Sequence, residues 1–344
     1  MQYVAVVSSI GKPLMPCHPA RARQLVRGGQ AIRRFDRGLF YIQLLVREAG
    51  DTQPIVVGID PGAKREALTV KSAKRTLLNI QTEAVDWVKD AEETSTTMRR
   101  ARRHRKTPYR ACRPLHNNHK PLLLPSIKAR WQWKLRVCRW LSRYYPIDRF
   151  MVEDVKAVTH RGHHSNWNKL FSAIQCGKNW FYDQLGRIAP VETVQGFETA
   201  QERERLGLKK STDKLSDKFE AHCVDSWTLA HMRIGGHPIP DNKAILYLVP
   251  LRFHRRQLHV LQPAKGNLRK RYGGTLSMGF KRGSWVKHPK YGVCYVGGAS
   301  NGRISLHTLD TGKRLCQNAK PEDLTFLCTA SWRTRKGNAV SSAA

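Results

Sequence analysis

The spacing of apolar positions along this chain changes period several times, and each change predicts an element. Ile55, Val56, Val57 and Ile59 form a short β-branched run of the kind that makes a buried strand, and it ends on Asp60. Pro61-Gly62 then makes a turn, and Ala67–Val70 can return as a second strand. A second apolar run, Phe150-Met151-Val152 within Arg149–Val155, ends on Glu153, with Asp154 as the competing acid. Glu153 is preferred because it continues the apolar run directly. Val191–Gln195 reads as a further short strand closed by Gly196.

Helical spacing appears elsewhere. In Pro125–Tyr145, Ile127, Trp131, Leu135, Cys138, Leu141 and Tyr145 share one face, and Lys128, Arg136, Arg139 and Arg143 another. Lys134 breaks that division, and the tryptophans are assigned to packing. Ser211-Thr212-Asp213 offers an N-cap for a helix running to about His231, on which His222 and Asp225 stand three residues apart and share a face. Thr82 to about Lys106 reads as a helix whose arginines point all round the axis, with Pro108 ending it.

The two ends of the chain read as β-rich. Strands are predicted near Tyr3–Ser8, Ala31–Phe35 and Leu39–Val46, with a stiff turn at Pro13-Leu14-Met15-Pro16 and a short basic helix over Pro19–Val26. Beyond the break at His237–Pro240, Ala244–Val249 and Gln257–Leu261 read as strands. Ser284–Leu327 turns repeatedly at Gly-containing pairs, the pattern of a small antiparallel barrel or sandwich, with fraying after about Trp332.

Charge narrows the function. With 61 Lys and Arg against 26 Asp and Glu, the formal charge is +35, and no acid occurs between Glu93 and Asp148 or between Asp241 and Asp310. Two long acid-free tracts imply a polyanionic partner, since each phosphate neutralised releases condensed counterions. The candidate phosphate contacts are Arg21 and Arg23; Arg99, Arg100, Arg102, Arg103, Arg105, Lys106, Arg110 and Arg113; and Arg255, Arg256, Lys265, Arg269, Lys270 and Arg271. Tyr109 lies within the same tract. No apolar run is long enough to span a bilayer, and the first residues lack the basic start of a signal peptide, so a cytoplasmic, nucleoid-associated protein without a membrane partner is expected. Eight cysteines without a Cys-x-x-Cys pair argue for reduced thiols and against a zinc ribbon. His160, His163 and His164, with Asn166 and Asn168, lack the framing of a metal site or a His-Asn-His nuclease, and His116 to His119 read as a polar turn.

Buried strand-end acids cost free energy unless a cation meets them, and a metal ion is the usual answer. The sequence order is strand, Asp60, hairpin, helices, strand with terminal Glu153, strand, and a helix bearing His222 and Asp225. It resembles the RuvC branch of the ribonuclease H-like nucleases. That resemblance implies a mixed α/β sheet with flanking helices. Asp60, Glu153 and Asp225 would hold two Mg²⁺ ions roughly 3.5–4 Å apart, with Mn²⁺ as a substitute, and His222 would orient or deprotonate the attacking water.

The flanks resemble a narrower group. Pro13-Leu14-Met15-Pro16-Cys17-His18-Pro19-Ala20-Arg21-Ala22 is similar to the opening domain of the transposon-encoded IscB and IsrB proteins, relatives of the RNA-guided CRISPR nucleases. Gly58-Ile59-Asp60-Pro61-Gly62, Val152-Glu153 and His222-Cys223-Val224-Asp225-Ser226 resemble their three RuvC motifs. Arg99–Arg113 resembles their arginine-rich bridge helix, and Arg255–Thr275 the start of their target-motif-reading region. The absence of a His-Asn-His insert between Glu153 and His222 points to the IsrB type. The implied organisation is 1–53 N-terminal domain, 54–90 RuvC segment I, 91–115 bridge helix, 116–200 segment II, 201–240 segment III and 241–344 C-terminal β domain. The implied function is an RNA-guided nickase of the displaced strand, one chain with one long structured guide RNA on double-stranded DNA. The rival readings are a guide-independent resolvase or transposase nuclease, and an RNA-binding protein with a decayed site.

Overall fold

The computed structural model describes residues 3–106, 123–154, 173–252 and 276–336, with two short pieces at 261–262 and 267–268. Strands β1 (Val4–Val7) and β2 (Pro13–Cys17), helix α1 (Pro19–Arg27), and strands β3 (Ala31–Asp36) and β4 (Leu39–Leu44) make a four-stranded sheet of order β2-β1-β4-β3. The predicted Pro-Leu-Met-Pro turn is therefore an edge strand. Proline is tolerated there because an edge residue need not donate to a ladder on its outer side.

The central sheet contains β5 (Ile55–Asp60), β6 (Arg65–Ser72) and β7 (Thr76–Glu83). Helix α2 (Val88–Lys106) and helix α3 (Pro125–Leu141) precede β8 (Arg149–Asp154). Helix α4 (Ala173–Gly186), β9 (Val191–Gln195), helix α5 (Gly196–Arg205), a 3₁₀ turn at Phe219–Ala221, helix α6 (Cys223–Ile234) and β10 (Ile245–Pro250) follow. The chain then forms the short strands β11 (Leu261–Gln262), β12 (Asn267–Leu268), β13 (Leu276–Ser277) and β14 (Phe280–Lys281). A five-stranded antiparallel sheet comes next, from β15 (Ser284–His288), β16 (Gly292–Ser300), β17 (Arg303–Thr308), β18 (Arg314–Ala319) and β19 (Thr325–Thr329). The last strand, β20 (Trp332–Arg335), leaves that sheet and pairs antiparallel with β10 at the edge of the central one.

The order of the central sheet is β20-β10-β7-β6-β5-β8-β9, with β5, β6 and β7 antiparallel in sequence and β8 and β9 parallel to β5. This antiparallel meander followed by parallel crossovers is the ribonuclease H-like arrangement. Strand alternation gives the sheet two faces. Ile55, Val57, Ile59, Phe150 and Val152 join the core beneath α3 and α4, whereas Val56 and Met151 pack with Leu229 and Ala230 of α6 on the other face.

Several predicted boundaries are corrected. The helix expected from Thr82 begins at Val88, and the preceding Thr76–Glu83 is a strand buried on both faces. Its polar side chains find partners across the fold: Asn79 Nδ2 donates to Asn242 O (2.8 Å), Gln81 Nε2 to Ser216 O (3.0 Å), and Thr82 Oγ1 accepts from Trp133 Nε1 (3.1 Å). The helix expected from Ser211 begins only at Cys223. Trp332 does not start a frayed end. It is 1% exposed and packs edge-on against Trp133 and Trp140, at 5.7 and 5.5 Å between ring centroids. Asp36 Oδ2 accepts from Trp140 Nε1 (3.0 Å) and Tyr144 OH (2.7 Å), so the tryptophans of α3 tie the N-terminal sheet and β20 to the central one.

Lys134, out of place on its helical face, is buried on Glu66 at 2.5 Å and lies 4.5 Å from the Trp131 ring. None of the described cysteines forms a disulfide, and no described helix is long and apolar enough to cross a membrane.

Candidate active site

Asp60 ends β5 on the α6 face, and a glycine brings α6 down to it. A Cβ on Gly58 would stand 1.9 Å from Ser226 O and 2.9 Å from Ala230 N, both α6 backbone atoms. Only glycine permits that approach. Ser226 Oγ then lies 2.8 Å from Thr69 Oγ1, and Trp227 Nε1 donates to Thr76 Oγ1 at 2.8 Å, fixing the helix on β6 and β7. In consequence Asp225, in the first turn of α6, and His222, just before it, arrive at the strand ends.

The structure brings Asp60, Glu153, His222 and Asp225 together. Burial pushes the Glu153 carboxyl up to about 7, aided by the Asp60 charge, a hydrogen bond with Asp60, and the Asp225 charge. Asp154 points to the opposite face, where it is 4% exposed and paired with Lys178 at 2.6 Å. Strand parity therefore places Glu153, not Asp154, beside Asp60.

His222 makes two polar contacts. Nε2 donates to Lys214 O (2.8 Å), an oxygen that can only accept, and Nδ1 lies 3.4 Å from Asp60 Oδ2. Burial works to lower the imidazole pKa, but the Asp60 carboxylate and the Lys214 carbonyl outweigh it and the net shift is upward. Anchoring Nε2 leaves Nδ1 as the nitrogen that exchanges a proton beside Asp60.

Asp225 is fully buried, and a carboxylate so placed costs free energy unless cations meet it. Arg203 of α5 meets Oδ1 at 2.6 Å, and the Lys210 ammonium lies against Oδ2. Beyond that ion pair, Oδ2 receives no hydrogen bond. Neither Arg203 nor Lys210 was foreseen, and the polar run Gln201–Arg205 carries no period that would have revealed them. In this arrangement no three His, Cys, Asp or Glu side chains among the described residues are placed to ligate one ion. The donor set nevertheless fits a hard divalent cation: three carboxylates, one of them raised by burial and by its acidic neighbours, and a buried carboxylate oxygen without a hydrogen bond.

Of the predicted phosphate contacts, Arg21, Arg23, Arg99, Arg100 and Arg103 are exposed. Helix α2 buries none of its described residues, as an all-polar helix must. The backbone at Arg102, Arg105 and Lys106 is helical. Pro108, Tyr109, Arg110, Arg113, His116, His119, His160, His163, His164, Asn166, Asn168, Arg255, Arg256, Lys265, Arg269, Lys270 and Arg271 lie outside the described residues.

Strand order, an antiparallel meander joined to parallel crossovers, gives the chain a ribonuclease H-like α/β fold, with acids at the ends of β5 and β8 and on α6. In sequence, residues 4–170 match the family described as "RRXRR protein". Among solved structures the chain is similar to Thermus thermophilus RuvC in complex with a Holliday junction substrate. That match has 17% identity, covers 53% of this chain and 97% of that one, and has a TM-score of 0.28. A second Thermus thermophilus RuvC structure matches at 18% identity, over 53% and 96% of the two chains, with a TM-score of 0.25. A search of the curated proteins returned no match.

Proposed function

We propose that the protein is an RNA-guided DNA nickase of the IsrB type. The observation that carries the nuclease reading is the convergence of Asp60, Glu153 and Asp225 with His222 on one face of a ribonuclease H-like sheet. The family matched by residues 4–170 is found in IscB- and IsrB-like nucleases, which supports the guided branch over a junction resolvase. Asp60, Glu153 and Asp225 would hold two Mg²⁺ or Mn²⁺ ions. Bound there, such ions supply water activation and leaving-group stabilisation for phosphodiester hydrolysis.

The protein's own groups do the rest. Glu153 and Asp225 would meet an ion as carboxylates, Glu153 with its proton released to solvent and Asp225 with its contacts to Arg203 and Lys210 loosened. Nδ1 of His222 takes or steers the proton of the attacking water while Lys214 O keeps the ring in place.

A single cut is supported by chain length. Between Glu153 and His222, α4, β9 and α5 belong to the central fold, and the longest stretch left between elements is residues 155–172. That segment is too short for an independent nuclease domain, which needs on the order of 40 residues. The exposed arginines of α1 and α2 would hold guide-RNA backbone, and the C-terminal sheet, rich in Lys and Arg, would sit on the DNA flanking the target. The segment boundaries given above, with one protein chain per RNA, belong to the same proposal.

The test is strand-resolved cleavage of a labelled duplex by protein with co-purified RNA, Mg²⁺ and a matched target, comparing wild type with Asp60→Ala. A nick confined to the displaced strand and lost in the variant supports the reading. Cutting of both strands, or nicking without RNA, overturns it.

A further inference from the structure

The segment between α5 and α6 has little regular structure, yet it holds the carbonyl that fixes His222. Ser211 N bonds Glu220 O (2.8 Å) and Asp213 Oδ1 accepts from Leu215 N (2.9 Å), but neither ties the segment to the sheet. Asp217 does. Its carboxylate, 8% exposed, receives Arg65 of β6 at 2.5 Å and both guanidinium nitrogens of Arg335 in β20, Nη1 on Oδ2 at 2.6 Å and Nη2 on Oδ1. The backbone on either side is held too. Gln81 Nε2 and Arg65 donate to Ser216 O (3.0 and 3.4 Å), and the Tyr247 hydroxyl donates to Asp217 O. Arg335 also lies over the Tyr247 ring, 4.5 Å from its centroid.

We infer that Asp217 is a positioning residue for the reaction: a strap running from Ser211 to Lys218, clamped by Arg65 and by Arg335 of the last strand, sets the ring of His222 through the carbonyl of Lys214. The inference rests on the nuclease reading above. The Arg335 fork on both oxygens of one sheltered carboxylate, with Arg65 Nη1 on Oδ1 besides, gives directional bonds that a point charge would not. Arg335 arrives from the far end of the chain, so completion of β20 is what closes the clamp. A clamp at Asp217 leaves Lys214 three residues to span, too few for its carbonyl to wander from Nε2. Loosening it frees the ring to rotate and Nδ1 to leave Asp60, and a displacement of about 1 Å at a reacting group costs on the order of 100-fold in rate.

The experiment uses the full chain with its RNA and compares wild type, Asp217→Asn, Arg335→Gln and Asp217→Glu. Measured quantities are nicking kcat and KM, gel-shift affinity, and hydrogen exchange by segment. The asparagine and glutamine variants are each expected to lower kcat roughly 10- to 100-fold with KM and affinity unchanged. Amides of 211–222 should exchange faster while those of β5 do not, and Asp217→Glu should recover part of the rate. In a His222→Ala background, Asp217→Asn should cost nothing further, because the two act as one unit.

Wild-type kcat in both Asp217→Asn and Arg335→Gln overturns the inference. So does full additivity with His222→Ala, or exchange that accelerates across the whole sheet, which marks a purely structural role. If wild type nicks nothing, the nuclease reading falls separately, and the exchange pattern alone decides whether Asp217 holds the strap.

Discussion

Gly58→Ala tests whether the closeness of β5 to α6 creates the site. The new Cβ would lie 1.9 Å from Ser226 O and 2.9 Å from Ala230 N, and both obstacles are backbone rather than the end of a flexible side chain. Relief requires α6 to retreat by about 1 Å, against a close-packed interior. Such overpacking costs about 1–3 kcal/mol, at the upper end when backbone must move. Alanine returns at most about 1 kcal/mol by restricting the unfolded chain. The net expected loss is about 2 kcal/mol in denaturant unfolding. A domain of ordinary stability stays almost fully folded after that loss, so any large rate change must come from geometry. The retreating helix carries His222 and Asp225 away from Asp60, and nicking is expected to fall on the order of 100-fold. Gly186→Ala is the control: nothing lies within 4 Å of its Cβ, and both stability and rate should hold. Unfolding and nicking both at wild-type levels in Gly58→Ala would refute the argument.

The two adjacent acids of β8 should separate cleanly. Glu153→Gln is expected to abolish nicking without lowering the unfolding midpoint, whereas Asp154→Ala breaks the buried ion pair with Lys178 and should cost about 3–5 kcal/mol, recovered at least in part when Lys178→Met is added. Metal-free stability should depend on pH through Glu153. Its folded pKa of about 7 lies above the unfolded 4.5, so the folded state binds the extra proton and the contribution is lost as pH rises from 4.5 through 7. Melting at pH 5.5 and pH 8 reads this slope, and Glu153→Gln should flatten it. Lys210→Ala removes a cation that a divalent ion must displace from Asp225, so Mg²⁺ should raise its melting temperature more than that of wild type. Replacing Arg99, Arg100 and Arg103 by Ala should reduce the salt slope of RNA binding by about 2–3 if all three reach phosphate, and an unchanged slope would remove α2 from the interface.

The parts of the fold legible in the sequence are those whose elements are simple outside and apolar inside. β5 is a β-branched run broken only by Gly58, because both its faces are covered, and Asp60 stands out at its end. β7 was missed because Asn79, Gln81 and Thr82 disguise it, and their partners at Asn242, Ser216 and Trp133 are far away in the chain. Helix α5 was missed although its start carries a local sign, the Glu198 carboxylate accepting from the Gln195 amide at 2.7 Å. β20 was read as fraying because nothing near it in sequence announces that β10 offers an open edge. The four candidate site residues could be named from local patterns, but Arg203, Lys210 and Asp217 belong to no local pattern. They matter only because buried Asp225 and the segment before α6 need them.

Buried acids on the two faces of the central sheet are treated differently. Beneath α3 and α4, each has its own lysine: Glu66 with Lys134 and Asp154 with Lys178. Such pairs settle the charge inside the fold. On the α6 face, burial together with the neighbouring Asp60 and Asp225 charges raises the Glu153 carboxyl, and Asp225 borrows Arg203 and Lys210 from a neighbouring helix and loop. A chain with such a surplus of Lys and Arg had cations to spare for that face, and a lysine opposite Glu153 would have removed the crowding as it does for Asp154. Gathering acids at the strand ends costs stability, and proteins accept that cost where a ligand supplies further positive charge. The two faces thus make their own control. Introducing a cation on the α6 face, by Met151→Lys beside Glu153, should lower the Glu153 pKa and weaken divalent binding. If divalent affinity is unmoved by that added charge, the crowding of acids is not what creates the site.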